Sequence, residues 1–297
     1  MDTRKNIELK IIFWTIAAVF SLFLALPLLV LLGRSFVGDQ GVTLEFYRSV
    51  IADRKFLPAL GNSFLVAAAA ALAATVIAFV LAYMIHYTNA PLWLKQAVRA
   101  AAMLPMFLPT ITYGFAIIYS FGKQGLITRL LGTQLFDLYG FMGLMTGYVI
   151  YTVPVAFLLI HNTMGYIDKK TLVVSKVMGD GTFSTFWIAV VRPLLGTLAG
   201  AFIQAFFLSF TDFGIPASVG GSYDVVAAIL YNKMIGGIPD FSRGAVVAVI
   251  MLIPSIGSIC ILRILERFNI RYNRISDIDL KKDPARDISW GTAGSVL

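Results

Sequence analysis

YIDKKTLVVSKVMGDGTFSTFWIAVVRPLL, residues 166–195, is an amphipathic, basic stretch in a chain that is otherwise mostly apolar. Apolar residues recur at helical spacing on both sides of Gly179, Asp180 and Gly181, which predicts two short helices joined by a sharp turn. Gly179 and Gly181 permit a positive φ in that turn, and Asp180 or Thr182 is expected to cap the second helix. The apolar positions are Leu172, Val173, Val177 and Met178 in the first helix and Phe183, Phe186, Trp187 and Val190 in the second. The pattern is typical of a docking surface or of an ordinary interfacial loop between two spans.

The composition is that of a membrane protein. Hydrophobic residues make up 58% and charged residues 13% of the 297 residues, whereas a soluble domain has roughly 25% charged residues. The mean hydropathy is +0.81. Basic loops on the cytoplasmic side of a membrane explain the net charge of +8, and no pattern typical of nucleic-acid binding accompanies it. The single cysteine, Cys260, excludes an intrachain disulfide and a cysteine-based metal cluster.

Six apolar runs are long enough to cross the roughly 30 Å hydrocarbon core of a bilayer. They cover residues 11–32, 63–85, 100–121, 141–160, 193–213 and 244–265. The runs are evenly spread and no Gly/Ser/Pro-rich linker divides them, so we expect an all-α, polytopic membrane protein with one transmembrane domain over residues 1–275. The first run exceeds the h-region of a signal peptide and is predicted to be an uncleaved span. Residues 276–297 are predicted to form a cytoplasmic tail.

The distribution of positive charge predicts the orientation of these spans. Lysine and arginine are twice as frequent on one side of the layout as on the other. By the positive-inside rule, both termini and the loop of residues 166–192 are then cytoplasmic. Pro105 and Pro109 fall within the third span, where the backbone groups they release need protein or a water-filled cavity as partners.

The spans lack the chemistry of an ion-coupled carrier. No Lys, Arg, Glu or His falls in their predicted apolar interiors, and Asp212, at the outer end of the fifth, is the carboxylate nearest to one. Ion-coupled transporters usually carry intramembrane charges or histidines, so energy for transport is expected from elsewhere. The chain has no Gly-x4-Gly-Lys-Ser/Thr phosphate loop, so ATP hydrolysis by that route would need a partner.

Catalytic and metal sites are not predicted. No serine or cysteine has a credible base partner in the sequence, so we do not expect an enzyme. His86 and His161 both fall at cytoplasmic ends of spans, which suggests a two-ligand metal site. The stronger interpretation is that both are interfacial residues capping helix ends, because no further ligand stands at suitable spacing.

The stretch 166–195 resembles the "EAA" loop of permease subunits in ATP-driven (ABC) importers. That loop reads Glu-Ala-Ala, three residues, Gly, nine residues, Ile-x-Leu-Pro, and Gly179 matches its glycine. Val173 stands in place of the glutamate, Val174 and Ser175 in place of the alanines, and the interval to Pro193 is one residue longer. In the family this loop forms coupling helices that dock on the ATPase subunit. The resemblance implies ATPase-coupling roles for Val173, Ser175, Lys176, Met178, Gly179, Asp180, Phe186 and Trp187.

A second stretch, LSFTDFGIPASVGG at residues 208–221, resembles the end of the fifth span in importers of iron(III), polyamines and 2-aminoethylphosphonate. Asp212 either lies near the solute path or satisfies local N–H groups at a helix end that Gly214 and Pro216 enforce. These two roles are compatible. The predicted path and outer gate comprise Ser209, Thr211, Asp212, Gly214 and Pro216, with Thr110, Thr112 and Tyr113 as facing polar groups.

Together the two resemblances imply the permease subunit of a type I ABC importer, with the fold of that family. Such a subunit pairs with a second permease, identical or homologous, above two ATPase subunits that use ATP and Mg, and an extracytoplasmic binding protein delivers the solute. The resemblance further implies a bacterial plasma membrane, no cofactor bound by this chain and no nucleic-acid partner. An ion-coupled secondary transporter or channel is the alternative function, and a membrane-embedded scaffold is a third. The sequence leaves the solute and the identity of the second permease open.

Overall fold

A computed structural model describes residues 2–38, 41–168 and 170–280. The side chains of residues 2–7, 173, 176 and 266–280 are not among those described. The predicted coupling side chains Val173 and Lys176, and the part of the predicted tail beyond residue 280, therefore lie outside the described residues.

The described elements are almost entirely helical, which confirms the all-α prediction. They are α1 (Asp2–Phe20), α2 (Leu26–Phe36), α3 (Glu45–Ile51), α4 (Phe56–Tyr87), α5 (Leu92–Met103), α6 (Thr110–Phe121), α7 (Leu126–Leu131), α8 (Phe141–Gly165), α9 (Lys170–Val177), α10 (Thr182–Phe186), α11 (Arg192–Thr211), α12 (Gly214–Val219), α13 (Val226–Ile235) and α14 (Phe241–Leu280). Two short strands, β1 (Val37–Gly38) and β2 (Gly41–Val42), pair in an antiparallel hairpin with Val37 opposite Val42.

In the described part of the chain, five helices are long and apolar enough to cross a bilayer, and a broken pair supplies a sixth crossing if counted as one span. The five are Glu8–Phe36, Phe56–Tyr87, Phe141–Gly165, Thr182–Thr211 and Phe241–Leu265. A π-helical turn at Ser21–Ala25 joins α1 to α2, so the first crossing is continuous.

The predicted third span, residues 100–121, is a broken helix rather than a continuous one. α5 runs into a 3-10 turn at Leu104–Phe107, and α6 starts at Thr110 after an extended Pro109 (φ −60°, ψ 145°). Pro105 removes one backbone donor, and Pro109 disfavours helical backbone at Leu108, the residue before it. The two prolines account for the break.

The fifth crossing begins earlier than predicted. The helix starts at Thr182 rather than Pro193 and ends at Thr211 rather than residue 213. A π-helical turn at Trp187–Val191 carries α10 directly into α11. The wide turn ends two residues before Pro193, which has no N–H to continue the regular ladder. The second predicted coupling helix is therefore the first part of the continuous helix Thr182–Thr211, which is long and apolar enough to cross a bilayer.

The chain divides into two compact units, and four of the long helices contribute residues to both. The first unit comprises residues 1–70, 108–151 and 207–257. Its core is a cluster of buried side chains, with Tyr113, Leu144, Tyr148 and Ile215 among the largest. Ser63 accepts a hydrogen bond from the Val226 N–H at 2.8 Å, which ties the start of α4 to the start of α13.

The second unit comprises residues 71–107, 152–206 and 258–297. Its core lies among Phe157, Ile160, Met164 and Leu194, together with small residues of α4. Along its whole length, in both units, α4 carries alanines that are fully buried, as the alanine-rich sequence of this helix predicts. The buried members are Ala59, Ala67, Ala70, Ala71, Ala74, Ala78 and Ala82.

Candidate functional site

The turn between α9 and α10 has the glycine geometry that the sequence predicts. Gly179 adopts φ +79°, in the left-handed region, and the Asp180 N–H donates to the Ser175 carbonyl at 3.1 Å. Gly181 is extended (φ −64°, ψ 157°) and forms the N-cap of α10, without a side-chain capping hydrogen bond. The predicted capping by Asp180 or Thr182 is therefore wrong. The Asp180 carboxylate instead bonds to a side chain of α9.

Three polar side chains connect α9, the turn and α10. The Ser175 hydroxyl donates to Oδ2 of Asp180 at 2.5 Å and lies 3.0 Å from Oγ1 of Thr185. Ser175 and Thr185 are each only 5% exposed. Ser175 therefore lies inside the segment instead of facing a partner, and Thr185 joins it although the sequence did not single this residue out.

Some apolar side chains of this segment pack against a core, and others are exposed. Leu172 and Phe186 pack against the core of the second unit. The Phe186 ring meets Phe79 and Tyr83 of α4 edge-on, with centroid distances of 6.2 and 5.6 Å. Phe186, predicted as a coupling residue, is thus fixed to the helix bundle.

Five other apolar side chains of the segment are exposed. Val177 is 83%, Met178 77% and Phe183 79% exposed, with Val174 and Trp187 about half exposed. Exposed apolar side chains of this kind mark contact with another protein or with a membrane. Of the predicted coupling residues, Met178, Gly179, Asp180 and Trp187 are exposed, and the structure adds Val177 and Phe183 to them. We call Val174, Val177, Met178, Phe183 and Trp187 the apolar docking row.

Asp212, in the first unit, follows the last residue of α11 and caps α12. Its Oδ2 accepts the Ile215 N–H at 2.9 Å, and the carboxylate also accepts hydrogen bonds from the Gly214 N–H and the Thr110 side chain. This is the helix-end arrangement that Gly214 and Pro216 predict. A role of Asp212 in the solute path stays a prediction.

The other predicted path residues do not all surround Asp212. Thr110 donates a hydrogen bond to it, but Tyr113 is 3% exposed in the core and donates its hydroxyl to the Leu108 carbonyl at 3.1 Å. Thr211 donates to the Phe207 carbonyl. The Ser209 hydroxyl is buried and has no hydrogen-bond partner among the described residues. Thr112 is half-buried, and no described hydrogen bond joins its side chain to Asp212.

α6 and α12 approach one another through two glycines. A β carbon on Gly214 would overlap the Thr110 hydroxyl, and one on Gly114 would overlap the Ser218 side chain. Larger residues at either position would force the two helices apart. The close approach brings Thr110 of α6 within hydrogen-bond reach of Asp212.

An open cleft of about 470 Å³ lies beside α12, and its lining includes four aromatic side chains. Phe213 and Tyr231 stack along it with centroids 4.9 Å apart and planes 10° apart. Tyr139, Tyr223 and Asp224 also line it. The volume is in the range of small-molecule sites.

No protein-family model matches the chain. The ferric transport system permease protein FbpB of Actinobacillus pleuropneumoniae is 24% identical over 251 residues, 83% of this chain and 34% of that protein. A spermidine/putrescine transport system permease PotC homolog of Mycoplasma pneumoniae is 27% identical over 140 residues, 47% of this chain and 46% of that protein. PhnU of Salmonella typhi, named for 2-aminoethylphosphonate transport, is 24% identical over 251 residues, 80% of this chain and 84% of that protein. The chain spans less than half the length of the ferric and polyamine relatives.

Two solved structures of bacterial alginate ABC transporters share the fold. One, of a transporter involved in the import of this acidic polysaccharide, has a TM-score of 0.75 at 12% identity and covers 91% of this chain and 97% of that chain. The other, in complex with an alginate pentasaccharide-bound periplasmic protein, has a TM-score of 0.70 at 14% identity, with coverage of 91% and 96%. In sequence the chain is similar to transport-system permease proteins, and in fold it is similar to chains of ABC transporters.

Proposed function

We propose that this chain is the transmembrane permease subunit of an ATP-binding-cassette importer and forms the path for a small polar solute. The observation that carries the proposal is the apolar docking row, which stands at a glycine turn of a chain with the importer permease fold. Val177, Met178 and Phe183 expose their side chains there, while Phe186 fixes the same segment to α4. Coupling requires a surface that can contact an ATPase subunit and a contact with the helix bundle, and this segment has both.

The partners follow from this assignment. The docking row fits an apolar cleft on an ATPase subunit, because large exposed apolar side chains lose contact with water when they enter one. Two ATPase subunits, which use ATP and Mg, would sit beneath this chain and a second permease, identical or homologous. The sequence has no phosphate loop of its own, so ATP hydrolysis is assigned to those subunits. Their closure would move the α9–α10 segments and switch the bundle between inward-open and outward-open states.

The solute belongs to the class of iron(III), polyamines or aminoalkylphosphonates. The named transport of the relatives supports this class. Asp212 places a carboxylate at the end of α11, where it suits a cationic solute or an aminoalkyl group. An extracytoplasmic binding protein would deliver the solute, since the alginate transporter of the same fold forms a complex with a periplasmic protein that carries an alginate pentasaccharide. The chain would lie in the inner membrane with both termini cytoplasmic.

The proposal is tested by expressing the chain with a candidate ATPase subunit and measuring both association and uptake. We expect the ATPase to co-purify with the chain, and uptake to stop when ATP is depleted but to continue with an uncoupler. Replacing Met178 and Phe183 together by serine should remove the ATPase from the complex while the chain stays in the membrane. Uptake that follows the ion gradient instead of ATP would support a secondary transporter and contradict the proposal.

A further inference from the structure

The turn between α9 and α10 does not by itself fix the angle between the two helices. α9 has only eight residues, a length at which an isolated helix is marginal in water, whereas α10 is the first part of the continuous helix Thr182–Thr211. Gly179 and Gly181 both face open space, with no atom within 4 Å of where a β carbon would stand. No side-chain packing at these glycines restrains the chain, so the angle must be held by other contacts.

Ser175, Asp180 and Thr185 supply such contacts, one residue from each part of the segment. Ser175 has a single hydroxyl hydrogen, and it points to Oδ2 of Asp180 at 2.5 Å. In the 3.0 Å contact between the two hydroxyls, Ser175 must therefore accept and Thr185 must donate. The result is a directed chain from Thr185 through Ser175 to the carboxylate.

Burial increases the strength of this chain of hydrogen bonds. Ser175 and Thr185 are 5% exposed, so water competes little for their hydroxyls, although Asp180 itself is exposed. Hydrogen bonds to an ionised acceptor are stronger than neutral ones, and consecutive bonds polarise each other. Loss of such a bond typically shifts a conformational equilibrium by about tenfold or more.

We infer that Ser175, Asp180 and Thr185 form a polar clamp that sets the angle between α9 and α10, and that they act as positioning residues for the apolar docking row. Met178 lies on the α9 side of the clamp and Phe183 on the α10 side, so the angle determines how far apart these two side chains stand. The effect on uptake rests on the proposed function, but the geometry of the clamp does not.

The clamp is tested first in the isolated, full-length chain in lipid nanodiscs. Spin labels are attached to cysteines at Thr171 and Thr182, in a Cys260→Ser background, and their separation is measured by electron paramagnetic resonance. We expect a single narrow distance in the parent and a broad or shifted distribution in Ser175→Ala, which loses both bonds. Ser184→Ala, which removes a neighbouring hydroxyl of α10, is the matched control and should leave the distance unchanged. An unchanged distance in Ser175→Ala overturns the clamp, whether or not the chain is an importer subunit.

A second experiment measures uptake by the assembled complex when the Thr185 hydroxyl is removed or kept. Thr185→Val keeps the shape of the side chain but cannot donate, and we expect uptake to fall about tenfold. Thr185→Ser keeps the donor and should retain parental uptake. A changed distance without any loss of uptake overturns the positioning role. If the parent chain itself binds no ATPase and supports no uptake, the proposed function fails, while the spin-label distances still test the clamp.

Discussion

Nε2 of His86 lies 3.0 Å from Nδ1 of His161, and the two rings have centroids 4.6 Å apart. The residues are 75 positions apart in the chain. The sequence suggested separate helix-end residues, but the structure pairs them across α4 and α8. A hydrogen bond between these two nitrogens requires that one of them carries a hydrogen and donates it, and that the other is unprotonated and accepts it. Phe157 stacks on the His161 ring at 5.1 Å and 18°.

We predict that the two histidines are energetically coupled. His161→Phe keeps an aromatic ring against Phe157 but removes the nitrogen that faces His86. His86→Phe likewise removes the nitrogen that faces His161. Each single substitution should lower the free energy of unfolding more than expected from packing, and the double substitution should cost less than the sum. The interaction energy should be about 1 kcal/mol, measured by denaturant unfolding in detergent. Strictly additive effects would contradict the pairing.

The approach of α6 to α12 makes Gly114 intolerant of any side chain. Gly114→Ala should destabilise the protein by about 1–3 kcal/mol, because its methyl group overlaps Ser218. Ser218→Ala should not rescue it, since the Ser218 β carbon also stands in the way, but Ser218→Gly should. The measurement is thermal unfolding of the single and double variants. Equal rescue by alanine and glycine would show that the helices shift apart instead.

We predict that a side chain is tolerated at Gly181 but not at Gly179, although only one residue separates the two glycines. Gly179→Val forces a β-branched residue into left-handed backbone at a cost of about 1–2 kcal/mol, with no clash to add to it. It should abolish uptake while the chain still inserts in the membrane. Gly181→Ala is the control, because an extended residue in open space accepts a methyl group. Normal uptake by Gly179→Val would exclude this turn from coupling.

Two substitutions of Asp212 distinguish a role in the solute path from a role in capping α12. One removes only the charge, and the other also removes the hydrogen-bond acceptor. Asp212→Asn keeps an oxygen for the Ile215 N–H but removes the charge, so a solute-path role predicts reduced uptake with normal assembly and ATPase activity. Asp212→Ala additionally loses the cap, at a cost of about 1 kcal/mol in unfolding free energy. Asp137→Asn, at an exposed carboxylate of the same unit, should change neither quantity. Parental uptake in Asp212→Asn would restrict this residue to capping α12.

The predicted orientation is tested by cysteine labelling in intact cells. In a Cys260→Ser background, cysteines at Asp2 and at Ser295, which lies outside the described residues, should not react with a membrane-impermeant thiol reagent. A cysteine at Ser222, which is exposed in the structure, should react. The reason is the excess of lysine and arginine assigned to the side of the termini. Reaction at either terminus would contradict the six-span layout.

The sequence by itself determined the fold class, the approximate spans and the glycine turn. These features depend on local chemistry: a bilayer requires about twenty apolar residues whose backbone groups bond within the helix, and left-handed backbone favours glycine. Pro105 and Pro109 marked the interrupted span for the same local reason, although the exact break did not follow from the hydropathy.

Only the tertiary structure decided which side chains meet. Helical periodicity assigns Phe183 and Phe186 to an apolar stripe but does not say that α4 covers Phe186 and leaves Phe183 exposed. Thr185 next to Ser175 and Thr110 next to Asp212 likewise depend on how separate helices approach. A period of 3.6 residues specifies the faces of a helix, whereas the packing of neighbouring elements specifies what each face contacts.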